Sequence, residues 1–110
     1  MELLFVAFRS GLTPDEVRAV IEADRENYLA VPGLLQMFYW EEAATGERGG
    51  LLLFATEAHL QAYLDSELRK SVGDKWRIEG GATRRRLHVT AALEGAARTA
   101  AGPDRAPRPA

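Results

Sequence analysis

Two carboxylates stand where helices should bury apolar side chains. Over residues 14–29, Val17, Val20, Ile21 and Tyr28 fall on one helical stripe. Asp24 lies within about 20° of Val17 on the same wheel. A second helix, expected over residues 56–70, turns Leu60, Tyr63, Leu64 and Leu68 inward, and Glu67, seven residues after Leu60, projects from the middle of that face. An unpaired buried charge costs several kcal/mol, so each carboxylate must be paired, protonated or turned toward a wet cleft. A carboxyl group in an apolar pocket can exchange a proton near neutral pH. Asp24 as general base and Glu67 as general acid, with Tyr63 holding an oxyanion, would suit an enolisable carbonyl compound. Cyclisation, dehydration or isomerisation would follow, or an oxygenation in which the deprotonated substrate meets dioxygen directly. The plainer alternative pairs Glu67 with Arg69 or Arg84 and lets Asp24 escape at an exposed helix edge.

Other residues extend or limit this chemistry. His88 on the last strand is a further candidate for proton transfer, whereas His59 sits well off its helix stripe. Two histidines so far apart make no metal-ligand spacing, and no metal is expected. Tyr28, Tyr39, Trp40, Phe54 and Trp76 would favour a flat, largely apolar ligand. In the second strand Leu34, Gln36, Phe38 and Trp40 share one face and Leu35, Met37, Tyr39 and Glu41 the other; the alternation leaves open which face meets the ligand. The chain has no Cys, which removes disulfides, thiolate metal sites and a Cys nucleophile. Gly49-Gly50 and Gly80-Gly81 match no phosphate-loop or dinucleotide fingerprint, so side chains rather than a cofactor would carry the chemistry.

Bulk composition narrows the partners. A net charge of -2 gives no footprint for nucleic acid, and Arg84-Arg85-Arg86 alternates between strand faces. That run could meet an anionic substrate group or a partner's acids. No apolar run approaches the roughly 20 residues that span a bilayer, and the start lacks a basic signal region, which makes the cytoplasm the expected compartment.

These residues need elements to position them. Residues 3–8 form a continuous apolar run suited to a buried strand. Thr13, Pro14 and Glu16 spell a helix start with a capping box. Pro32-Gly33 stops that helix near residue 29. Residues 34–41 and 51–55 read as a hairpin across a polar turn, the centre of the sheet. After the second helix, residues 71–79 look irregular, with Trp76 tucked against the core. Gly80-Gly81 breaks the chain before a last strand over residues 83–92. The order is βαββαβ, an α+β ferredoxin-like arrangement: a four-stranded antiparallel sheet with both helices on one face. Its other face is too apolar to meet water, so a homodimer packing sheet on sheet is expected. The folded domain spans residues 1–93; residues 94–110, rich in Ala, Pro and Arg, read as a flexible tail.

The run PGLLQMFYWEEAATGERGGLLLF, then Thr56-Glu57 and Gln61-Ala62-Tyr63-Leu64, resembles the YdhR-type mono-oxygenases of the dimeric α/β-barrel superfamily. The similarity spans about residues 3–76 and is strongest over 32–64. Asp24 departs from the apolar residue expected of that family. The resemblance implies a substrate cleft between helices and sheet in each protomer, lined by Asp24, Tyr28, Tyr63, Glu67 and Trp76. It also implies a cofactor-independent mono-oxygenase acting on an aromatic or polyketide-like small molecule. An acid/base cyclase, dehydratase or isomerase of natural-product biosynthesis is the alternative within enzymes. A non-catalytic dimeric binding or stress-response module is the alternative outside them.

Overall fold

The computed structural model describes residues 1–97. Most of the expected tail, residues 98–110, lies outside the described residues.

Strand β1 (Glu2–Ser10) is the apolar run, paired on both edges. Helix α1 (Pro14–Leu29) begins with the predicted capping box: Thr13 Oγ1 accepts from the Glu16 amide at 3.2 Å, and Glu16 Oε1 accepts from the Thr13 amide at 2.9 Å. Pro14 fills the first helical position, where a missing N–H costs nothing. The helix stops before Pro32, and Gly33 turns the chain into β2 with φ at +75°. A side chain there would be strained, and a Cβ would lie 2.1 Å from the His59 ring.

Strands β2 (Leu34–Glu41) and β3 (Arg48–Phe54) form the hairpin. The second strand therefore starts earlier than residue 51 and takes in Gly49 and Gly50. The sheet order is β2-β3-β1-β4, with every neighbouring pair antiparallel. This is the expected ferredoxin-like βαββαβ topology, whose two central strands carry the longest apolar runs.

The last strand differs from expectation. β4 (Ile78–His88) begins before Gly80-Gly81 and ends short of residue 92. The two glycines have φ of +74° and +84° and sit in a bulge between the pairs Phe8–Ala82 and Arg9–Glu79. Two extra residues in one strand need such angles here, which glycine alone reaches without strain. Reading the pair as a break treated a conformational device as a terminus.

The second crossover also differs. The single helix expected over residues 56–70 is three pieces: α2 (Glu57–Leu64), α3 (Glu67–Lys70) and α4 (Val72–Lys75). Ser66 causes the first interruption. Its hydroxyl donates to the Tyr63 carbonyl at 2.6 Å and accepts from the Arg69 amide at 3.2 Å, ending one helix and capping the next.

The core lies between the helices and one sheet face. Leu4, Leu52, Phe54 and Leu60 pack with Tyr28 and Tyr63 in one cluster, and Phe8, Val17 and Trp76 in a second. The register places Leu4, Val6 and Phe8 of β1 opposite Leu52, Gly50 and Arg48 of β3, and these opposite Met37, Tyr39 and Glu41 of β2. The helix-facing set of β2 is therefore Met37, Tyr39 and Glu41. Phe38 and Trp40 belong to the other face, with Phe5 of β1 and Leu51 of β3. On that face Phe38 is 53% exposed. Among the described residues no helix is long and apolar enough to cross a membrane.

Candidate active site

Asp24 is buried, at 4% exposure, as its place on the α1 stripe predicts. It is also held. Lys75 Nζ donates to Oδ1 at 2.8 Å and Asn27 Nδ2 donates to the same oxygen at 3.2 Å. Oδ2 takes no hydrogen bond from the described residues. Lys75 comes from α4, and the chain just after it is pinned at three points. Ser10 Oγ donates to the Trp76 carbonyl at 2.5 Å, the Gly11 amide donates to the Arg77 carbonyl at 3.0 Å, and Arg77 pairs with Glu16 at 2.7 Å. The end of β1 and the cap of α1 thus fix where the lysine and Trp76 sit. A buried carboxylate needs this partner, because desolvation otherwise outweighs everything nearby.

The three tyrosines of the chain all lie within reach of its charge. Tyr28 and Tyr63 share a hydrogen bond at 2.8 Å between their hydroxyls, buried between α1 and α2. Tyr39 reaches in from β2 and stands 5.9 Å, centroid to centroid, from Trp76. Burial pushes the Tyr39 phenol up to about 12, helped by the negative charge of Asp24 and then by Tyr63. Burial likewise raises Tyr28 well beyond the usual range, with Tyr63 adding to it. Tyr63 is raised by burial against opposing pulls from its bond to Tyr28 and from the charges of Arg69 and Arg84. All three are neutral O–H donors at neutral pH.

The space they enclose is small. A cavity of about 40 Å³ lies among Tyr28, Met37, Tyr39, Tyr63, Val72 and Trp76. Two larger grooves meet it at Tyr39. One of about 240 Å³ runs from Val17 and Trp76 to Arg48; the other, of about 370 Å³, lies between α1 and the β2 edge. Tyr39 lines all three, so its ring is the wall between the interior and the grooves.

The structure corrects several expected site residues. Glu67 does not face the cleft: its side chain is 94% exposed and lies 3.6 Å from Lys70. The Ser66 cap restarts the helix, so spacing counted from Leu60 no longer applies. His88 is at the far end of the sheet, paired with Glu2 at 2.5 Å and largely in solvent. Trp40 stacks on Phe5 at 5.7 Å on the opposite sheet face, although it also lines the 240 Å³ groove. Phe54 is fully buried beneath Tyr63, a floor rather than a contact surface. Tyr28, Tyr39, Tyr63 and Trp76 do come together around the small cavity; Asp24 lies near enough for its charge to act on the three tyrosines but lines none of the spaces described above. Sequence reasoning missed Asn27 and Lys75. Asn27 carried a usable signal, being one helical turn from Asp24; Lys75 sat in a stretch with no periodicity at all.

No family model matches the chain, and no curated protein matches it. Solved structures do. A protein of unknown function from Nitrosomonas europaea, NE2512, superposes with a TM-score of 0.67 at 18% identity, over 86% of this chain and 94% of that one. A dimeric ferredoxin-like protein of unknown function from Thermobifida fusca gives 0.62 at 21%, over 81% and 92%. A mutant of SnoaB, a cofactor-independent oxygenase from Streptomyces nogalater, gives 0.66 at 13%, over 86% and 98%. At such identities the likeness is one of architecture, and it agrees with the strand order and helix placement described above. The chain carries the ferredoxin-like fold of these proteins.

Proposed function

We propose that this chain is a small enzyme acting on a flat aromatic or polyketide-like carbonyl compound, without a cofactor and as a homodimer in the cytoplasm. The observation that supports it is Asp24: a buried carboxylate with Oδ1 fixed by Lys75 and Asn27, Oδ2 taking no hydrogen bond from the described residues, and its charge acting on Tyr28, Tyr39 and Tyr63. A carboxylate so placed is a general base, and neutral phenols are donors to the oxyanion that proton removal creates.

Proton abstraction would run from an acidic C–H beside a carbonyl to Asp24 Oδ2. The enolate oxygen would take a hydrogen bond from the Tyr28–Tyr63 pair. Glu67 has no part, so the earlier acid must be replaced by a tyrosine, the lysine or water. In the oxygenase reading the carbanion reacts with dioxygen. The methylene carbon loses two hydrogens and gains one oxygen atom as a carbonyl; the second oxygen atom leaves as water with those hydrogens. In the isomerase or cyclase reading the proton returns at another position. The oxygenase reading draws on the resemblance to the YdhR-type group and on the name of one structural neighbour. The acid/base reading draws on the site alone.

The test is hydrogen–deuterium exchange at the acidic carbon of 2-tetralone, followed with and without air. Asp24→Asn should slow exchange by about 100-fold while the far-UV spectrum is unchanged. Oxygen uptake matched to product would favour oxygenation; exchange that persists without uptake would favour the acid/base reading. No exchange above the buffer rate would leave a binding module.

Dimerisation draws support from the uncovered sheet face and from Trp40, whose buried indole N–H has no acceptor among the described residues. Sedimentation should find a dimer at micromolar concentration; a stable monomer would overturn this part of the reading.

A further inference from the structure

The groove of about 240 Å³ at the Trp76 end differs in chemistry from the cavity behind it. Its floor is aromatic, since Tyr39 and Trp76 line both spaces. Its walls carry two guanidinium groups. Arg48 rises from the start of β3 with only 20% of its side chain exposed, and Arg18 of α1 faces the same space. Both are balanced by carboxylates that stand in water. Glu41, 69% exposed, accepts from Arg48 at 2.9 Å, and Asp15 pairs with Arg18 in full solvent.

The asymmetry of the Arg48–Glu41 pair matters. The cation is mostly buried against the groove while its anion is largely hydrated, so the pair is weak on the anion's side and readily exchanged. A guanidinium presents a planar fork that a carboxylate can meet with two parallel hydrogen bonds. An aromatic ring against Tyr39 and Trp76 would bring a ring-borne carboxylate to that fork.

We infer that the groove is the anion subsite of the cleft, and that its ligand is an aromatic carboxylate with Arg48 as principal counter-ion and Arg18 as a weaker second. The inference rests on the proposal that the cleft takes flat aromatic compounds, and it adds the charge such compounds carry. Glu41 then acts as a placeholder, occupying the fork until the ligand displaces it.

The test is binding, separate from turnover. The probes are 2-naphthoate and its methyl ester, titrated by tryptophan fluorescence and by calorimetry. The acid should bind about tenfold more tightly than the ester, and more weakly as salt rises. Arg48→Met should bring the acid to the ester's affinity and leave the ester within about twofold; Arg48→Lys should recover part of the preference. Glu41→Gln should tighten the acid alone by about two- to fivefold, a gain that a merely structural Arg48 would not produce. Equal binding of both probes to the unaltered protein would overturn the anion subsite and leave the aromatic cleft standing. Equal weakening of both by Arg48→Met would make Arg48 a packing residue and overturn the inference. If neither probe binds at millimolar concentration, the cleft reading falls and the subsite with it.

Discussion

The two crossovers of this fold carry the same pattern, an acidic residue at the centre of an apolar helical stripe, and end in opposite places. In the first, α1 runs unbroken from Pro14 to Leu29, and Asp24 is carried to the interior. In the second, Ser66 caps a new turn, and Glu67 is carried into solvent. Helical spacing transmits orientation only as far as the helix continues. A serine that bonds its own backbone resets the phase, and a residue one position beyond it owes nothing to the stripe before.

The largest effect expected from this contrast is on proton abstraction. Asp24→Asn should cost the rate of 2-tetralone exchange about 100-fold, whereas Glu67→Gln should change it by no more than about twofold. A large loss in Glu67→Gln would mean that the second crossover rearranges when substrate binds, and the contrast would break.

The next effect is on stability. Lys75→Met leaves the Asp24 carboxylate buried with only Asn27 to hold it. Because Lys75 is 36% exposed and water can partly take its place, the loss should be about 1–3 kcal/mol rather than the upper range for a buried pair. Chemical denaturation measures it. Lys70→Met, which removes an exposed ion pair with Glu67, should fall within about 0.5 kcal/mol.

The smallest effect sharpens the comparison through pH. Tyr39 has its phenol raised from 10.0 to about 12, and Tyr28 and Tyr63 are raised as well. Between the unfolded and folded values the folded chain holds more protons, so stability present below pH 10 is lost as pH rises toward about 12. Absorbance of tyrosinate near pH 10 should therefore be almost nil in the folded protein and should appear together with unfolding. Tyr39→Phe should make the alkaline loss shallower. Ionisation of one tyrosine near its free value without unfolding would show that the cleft is more open than its 40 Å³ cavity implies.

Much of this was readable in the residues. Thr13, Pro14 and Glu16 dictate where α1 starts through local bonds alone, and Asp24 follows from that start. The βαββαβ order follows from the apolar runs and turn residues, but the hairpin read as the centre of the sheet has β2 at an edge, because β1 pairs beside β3. What resisted reading depends on distant partners. Gly80-Gly81 becomes a bulge only because β1 pairs across it. Tyr39 rather than Trp40 turns inward because the register against Gly50 of β3 decides parity. Lys75 reaches Asp24, 51 residues away, because Ser10 and Gly11 pin the backbone that follows it.

Gly33 has one more consequence. Its α-hydrogen points where a methyl group would strike the His59 ring, and that ring's Nδ1 lies 2.8 Å from the hydroxyl of Thr56, which caps α2. The exit of one crossover and the entry of the other are thus keyed together at a spot with room for a single hydrogen atom. A substitution at residue 33 would disturb the end of α1 and the start of α2 at once, although it lies in a loop that sequence variation would ordinarily be free to explore.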